Sequence, residues 1–175
     1  MKVVVVGSGG REHALAEVLG RHHEVVVTPG NPGIAGSTSA AVDRLVAAGD
    51  VDLVVIGPEQ PLVDGMADRL RAAGVRVFGP GADGAQLEGS KAFMKELVQA
   101  AGVPTARYGA FTEVEPALEF LRELPGPYVV KTDGLAAGKG VLVTGSLAEA
   151  EADVRDKLSG ESFGDAGRRV VVEEG

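Results

Sequence analysis

The stretch GSGGREHALA, residues 7–16, sets three glycines, an arginine and a histidine directly after a run of four valines. Gly7, Gly9 and Gly10 let the backbone turn tightly and come close to a ligand, and the free N–H groups of a helix starting there would point at an anion. Arg11 adds a guanidinium able to grip phosphate through two bonds, whereas His13, two residues on, would face another way round the helix. The chemistry on offer is phosphate recognition. A plain strand-to-helix turn with a solvated arginine and a half-buried histidine fits the same residue types. Dinucleotide binding through GxGxxG fits poorly: Glu12 stands where its last glycine would be, and no acid follows cleanly at the end of the second strand.

A second constellation is KTDGLAAGKGV, residues 131–141. Lys131 at a strand end, followed by Gly134, Gly138, Lys139 and Gly140, supplies the mobility, backbone donors and positive charge that a lid over a polyphosphate needs. No GxxxxGK[ST] pattern is present, so this is not a P-loop, and a Gly/Ala-rich hairpin with a solvated lysine is the competing reading. In SKAFMK, Lys91 and Lys95 are four apart and share one helix face, either turned to a ligand or simply solvated. Glu173 and Glu174, closing the last apolar run, could hold a ribose or a metal, or face water.

These residues need elements to place them. Val3 to Val6 read as a buried parallel strand, Glu12 to Leu19 as a helix, and Glu24 to Val27 as a second strand ending at TPGNPG. DLVVIGPE reads as a third strand ending at Gly57, LVDGMADRLRAAG as one helix stopped by Gly74, and VRVFGP as a fourth strand. Such alternation predicts a doubly wound sheet with ligands at the carboxyl ends of its strands, here GSGGR, TPGNPG, GPEQP and GPGAD.

Near Gly84 the rhythm changes. AQLEGSKAFMKELVQAAG predicts one long helix ended by Gly102, and VPTARYGAF an extended segment. A helix from about Glu113 to Leu124, strands YVVK and VLVTG, a helix opened by a Ser146/Glu149 capping box, and a last strand RRVVVEEG follow. That strand is expected to be unpaired, the start of something unfinished in a longer protein. The expected division is 1–84, a linking helix 85–103, and 104–175.

Composition narrows the class. The 175 residues are 45% hydrophobic but 4% aromatic, with no tryptophan, which fits a Val/Leu/Ala core of strands covered by helices. A net charge of -8 with 17 scattered Lys and Arg argues against a nucleic-acid surface. The absence of cysteine excludes disulfides, zinc-thiolate sites and a thiol nucleophile. No secretory leader, membrane-length apolar run or internal repeat is visible, so a cytoplasmic location is the default expectation.

Six ordered motifs, GSGGREHALA, PGNPG, VVIGPEQPLV, QLEGSKAFMK, KTDGLAAGKGV and FGDAGRRVVVEE, together resemble the phosphoribosylamine-glycine ligase family, also called glycinamide ribonucleotide synthetases. The likeness runs essentially end to end. It implies an α/β chain: a Rossmann-like parallel-sheet domain followed by part of an ATP-grasp domain. It implies purine-pathway chemistry in which ATP phosphorylates glycine's carboxylate and the amine of 5-phosphoribosylamine displaces phosphate. The cofactors implied are ATP with Mg2+, or Mn2+ in its place, and the partners are small molecules rather than nucleic acid or membrane.

By the same resemblance Gly9, Gly10, Arg11 and Glu12 would line the phosphoribosylamine pocket, with Gly30, Asn31 and Glu59 at neighbouring strand ends. Lys91 and Lys131 would meet the nucleotide's phosphates, with Lys95 a secondary candidate. Gly138, Lys139 and Gly140 would form the lid, and Glu173 and Glu174 the strand beside the adenine. Two departures stand out. The chain is shorter than the family between PGNPG and DLVVIGPE, so an edge strand is missing there or replaced by residues 34–51. The family's metal-binding acid and asparagine, its glycine-binding residues and the second half of the ATP-grasp fold would lie beyond Gly175, leaving no catalytic or metal residue within the chain. A non-catalytic phosphoribosyl- or ATP-binding module, or another ATP-grasp carboxylate-amine ligase, are the alternatives.

Overall fold

The computed structural model describes residues 1–135, 140–160 and 168–175. The chain divides into two units, Met1–Ala85 and Gln86–Gly175. Four parallel strands form the first sheet: β1 (Lys2–Gly7), β2 (Glu24–Pro29), β3 (Leu53–Ile56) and β4 (Val77–Phe78), in the order β2-β1-β3-β4. Helix α1 (Gly10–Leu19) links β1 to β2, α2 (Val42–Ala47) links β2 to β3, and α3 (Glu59–Val63) and α4 (Met66–Ala72) link β3 to β4.

The valine runs do not alternate with polar residues because both faces of this sheet are covered. On one face Val3, Val5, Val27 and Val55 pack with Ala16 and Ile34. On the other, Val4, Val6, Val54 and Ile56 pack with Val42, Leu62, Ala67 and Leu70. The single helix expected over LVDGMADRLRAAG is in fact two. Gly65 sits between them at φ 77, a left-handed conformation that a glycine accepts freely and that ends the first helical run. In the segment after β2, Ser37 makes an isolated bridge to Val27 and α2 follows, so among the described residues no further strand is added on that side.

Helix α5 (Ala82–Gly89) spans the division, and the second unit continues with α6 (Lys91–Ala100), β5 (Tyr108–Phe111), α7 (Val114–Glu123), β6 (Tyr128–Thr132), β7 (Val141–Thr144), α8 (Leu147–Leu158) and β8 (Val170–Glu174). The long helix expected through SKAFMK is interrupted at Ser90. Its backbone is extended and its hydroxyl accepts the Phe93 N–H at 3.1 Å, so it begins a new helix instead of continuing the old one.

The second sheet is antiparallel, in the order β5-β8-β6-β7. The expectation of an unpaired last strand is therefore overturned: β8 has a neighbour on each side. Val130, Val170 and Val172 on one face pack with Leu118 and Leu121 of α7 and Ala150 and Val154 of α8. The Ser146/Glu149 pattern caps α8 in modified form. Ser146 accepts the Glu149 N–H at 3.3 Å, but the Glu149 carboxylate takes the Thr144 hydroxyl at 2.5 Å rather than returning to Ser146. Among the described residues no helix is long and apolar enough to cross a membrane.

Candidate functional site

In the first unit the glycine-rich segments converge at the carboxyl ends of β1, β2 and β3, beside the point where the chain winds outward in opposite directions from β1. Gly9 caps α1 without a side chain, and its N–H donates to the Glu12 carboxylate at 2.7 Å. Glu12 is buried, and its side chain lies so close to Gly7 and Gly57 that a Cβ at either would collide with it. Its carboxylate also accepts from Arg11 Nε at 3.2 Å. Glu12 thus braces the turn from behind.

Arg11 is exposed and reaches across from α1 to Glu59 at the start of α3, with Nη1 2.9 Å from Oε1. The hydrogen bond from Arg11 holds the Glu59 carboxyl below the usual glutamate range. Asn31 ties the loops together: its amide NH2 donates to Ser8 O at 2.7 Å and its Oδ1 accepts from Gly33 N at 2.8 Å. Gly30, at φ 61, donates its N–H to Gly7 O at 3.0 Å, and a Cβ there would strike Ser37. Gly10 differs from these glycines, because the space where its Cβ would go is open. The seven first-unit candidates therefore share one edge of the sheet. Arg11, Glu59 and the Gly9–Gly10 turn form its accessible rim, while Glu12, Asn31 and Gly30 hold the loops in shape.

In the second unit the alternation of an antiparallel sheet decides which side chains meet. Glu173 lies opposite Val129 on β6 and Tyr108 on β5, and Lys131 lies opposite Val171, so Lys131 and Glu173 form a diagonal pair on the face away from α7 and α8. Lys131 Nζ is 2.6 Å from Glu173 Oε1. Lys95, from α6, is 2.7 Å from Glu173 Oε2 and donates to Thr105 Oγ1 at 2.7 Å. Burial alone would push the Glu173 carboxyl up, but the hydrogen bonds from Lys131 and Lys95 outweigh it and hold the group below the usual glutamate range. Glu174 falls on the opposite face of the strand, in register with Tyr128.

The start of α6 is bound to the turn after β6. Asp133 accepts from Ser90 Oγ at 3.1 Å and from Ala92 N at 3.2 Å, and pairs with Arg169 at 3.7 Å. Lys91 Nζ donates to Gly134 O at 2.7 Å. Burial lowers the Lys91 ammonium below the ordinary lysine value; Asp133 opposes that, and neighbouring Lys131 adds to it. Two lysines from different elements thus sit within each other's field, and an anion between them would relieve their repulsion. Gly140 O accepts the Thr132 N–H at 2.8 Å, closing the base of the loop. Gly138 and Lys139 lie outside the described residues.

Residues 1–88 match the family model for the phosphoribosylglycinamide synthetase N domain, and residues 89–175 match the model for the ATP-grasp (A) domain of the same synthetase. The chain belongs to the phosphoribosylglycinamide synthetase family. Among family relatives, the phosphoribosylamine–glycine ligase of Escherichia coli O6:H1 is 53% identical over 188 residues, covering 99% of this chain and 44% of that protein. The crystal structure of the Thermotoga maritima phosphoribosylamine–glycine ligase superposes with a TM-score of 0.84 at 31% identity, over 100% of this chain and 44% of that one. Outside the family, the biotin carboxylase domain of Hydrogenobacter thermophilus 2-oxoglutarate carboxylase, solved with MgADP, ADP and bicarbonate, shares the fold. Its TM-score is 0.75 at 19% identity, over 99% of this chain and 44% of that one. The chain thus spans less than half the length of the relatives it matches.

Two residues that hold the second-unit site together lie inside the quoted motifs but are not among the candidates. Asp133 was available as the acid in KTDG, two residues past Lys131, and Ser90 as an N-cap hydroxyl following glycine. No local pattern marks Thr105, which meets Lys95 only through the tertiary fold.

Proposed function

We propose that this protein provides the phosphoribosylamine-binding and nucleotide-phosphate-binding part of a phosphoribosylamine–glycine ligase. ATP phosphorylates the glycine carboxylate, and the amine of 5-phosphoribosylamine then attacks the glycyl phosphate, forming the amide of glycinamide ribonucleotide and releasing ADP and phosphate. A carboxylate is a poor electrophile, so the protein's task is to align and neutralise phosphates rather than to supply a nucleophile. The observation that carries this reading is Lys91, held to the Gly134 carbonyl at 2.7 Å after β6 and feeling the positive charge of Lys131 on that strand. In the first unit, the Gly9–Gly10 turn with Arg11 and Glu59 would receive the 5-phosphate and ribose.

Mg2+ would accompany the nucleotide, or Mn2+ in its place. Among the described residues no group of three or more His, Asp or Glu is placed to hold a metal. The test uses the intact gene product carrying this sequence. ADP release should require both glycine and phosphoribosylamine, and Lys131→Ala should weaken nucleotide binding with the fold retained. ADP release that ignores glycine would overturn the ligase reading.

A further inference from the structure

Lys95 is a buried lysine with no part in the reaction outlined above. Its side chain is 6% exposed, yet it holds three contacts: Glu173 Oε2 at 2.7 Å, Thr105 Oγ1 at 2.7 Å, and the Tyr108 ring, whose centroid is 5.5 Å from Nζ. Placing an ammonium group in such a site is costly unless the charge is paired and hydrogen-bonded, as it is here by Glu173 and Thr105. Glu173, with a 7% exposed side chain, carries one negative charge and meets two positive ones, Lys95 on Oε2 and Lys131 on Oε1. The cluster therefore holds a surplus of one positive charge. Lys131, whose side chain is 25% exposed, is the member able to turn toward a ligand.

We propose that Lys95 is a positioning residue for the phosphate site: it neutralises Glu173 permanently, so that Lys131 can exchange its carboxylate partner for a nucleotide phosphate. This rests on the reading of Lys131 as a phosphate ligand. With Lys95 in place, Lys131 leaves a carboxylate that is still paired, and no buried charge is orphaned. Without Lys95, Glu173 and Lys131 form a closed neutral pair, and drawing Lys131 away strands a buried carboxylate. Lys95 thus acts on the nucleotide through two other side chains and touches none of it.

The test measures MgADP and adenosine affinity by calorimetry on the intact gene product and on Lys131→Met, Lys95→Met and Lys95→Met/Glu173→Gln variants. Lys131→Met should weaken MgADP binding; if it does not, the reading of Lys131 as a phosphate ligand fails, and the proposal with it. Given that loss, Lys95→Met should weaken MgADP by about ten-fold or more while adenosine affinity stays level, because only phosphate senses the missing charge. The double variant, which also removes the stranded carboxylate, should regain most of the MgADP affinity and serves as the folded comparison if Lys95→Met unfolds. A mere structural brace predicts that MgADP and adenosine weaken together. That result, unchanged MgADP affinity in Lys95→Met, or a double variant no tighter than Lys131→Met would overturn the proposal.

Discussion

Arg11 and Glu59 are paired across the first-unit site with their side chains 56% and 38% exposed, and an ion pair this open contributes at most about 1 kcal/mol. Arg11 can therefore leave Glu59 for a phosphate at little cost. Gly10 offers a clean probe of the same turn, since a methyl group there meets nothing in the protein and alanine favours a helix over glycine by about 1 kcal/mol. Gly10→Ala is expected to keep or raise the thermal midpoint while weakening ribose 5-phosphate binding by about ten-fold, equivalent to about 1.4 kcal/mol. Unchanged binding in a calorimetric titration would remove the anion from this turn. At Lys91 burial holds the ammonium below the ordinary lysine value. A bound phosphate favours the charged lysine, so binding takes up a proton in the window just above the depressed value. Nucleotide affinity should then decline with rising pH before ordinary lysines titrate near about 10.4, and Lys91→Arg should move that decline to higher pH.

At the scale of elements, Ser90 joins two tasks, stopping α5 and starting α6. Ser90→Ala removes the hydroxyl that accepts from Phe93 and donates to Asp133, and should cost about 1 kcal/mol in urea unfolding, typical of a lost N-cap. On β8, the Glu173 carboxyl is held below its unfolded value, so its contribution to stability is complete above the usual glutamate range and is lost as pH falls through the depressed value. Acid titration of unfolding should show this loss in the wild type, with a shallower slope in Glu173→Gln. Much of this architecture was legible in the sequence. The strands of the first sheet announced themselves because burial on both faces demands unbroken apolar runs; Arg11 and Lys131 stood out as cations beside glycine-rich strand ends, whereas Lys91 was marked by its helical spacing from Lys95 and by the family resemblance. The breaks at Gly65 and Ser90 were read through, since apolar spacing continues across each while backbone conformation and capping interrupt the helix. Local pattern also could not show that Glu12 is buried, nor which of two adjacent acids faces Lys131, because both depend on strand register.

For the molecule as a whole, each unit has its own core, and single residues in either test it independently. Leu118, fully buried between α7 and the second sheet, should cost about 2–5 kcal/mol when cut to alanine, measured by denaturant unfolding with the second unit's aromatic Tyr108 and Tyr128 as the optical signal. The net charge of -8 leaves the two lysine- and arginine-lined sites as local exceptions on an acidic chain, so salt should weaken anion binding without any general affinity for polyanions. Of the described strands, β8, which lies between β5 and β6, is synthesised after β5, β6, β7 and α8, whereas the four strands of the first sheet have all emerged once Phe78 has left the ribosome. Until Val170–Glu174 arrive, β5 and β6 have no partner between them, and the nascent chain must hold two open strand edges through the synthesis of α8. Folding of this half is therefore governed by pairings between residues far apart in sequence, a slow class of closure. The charge cluster around Glu173 comes into existence only when β8 docks between β5 and β6.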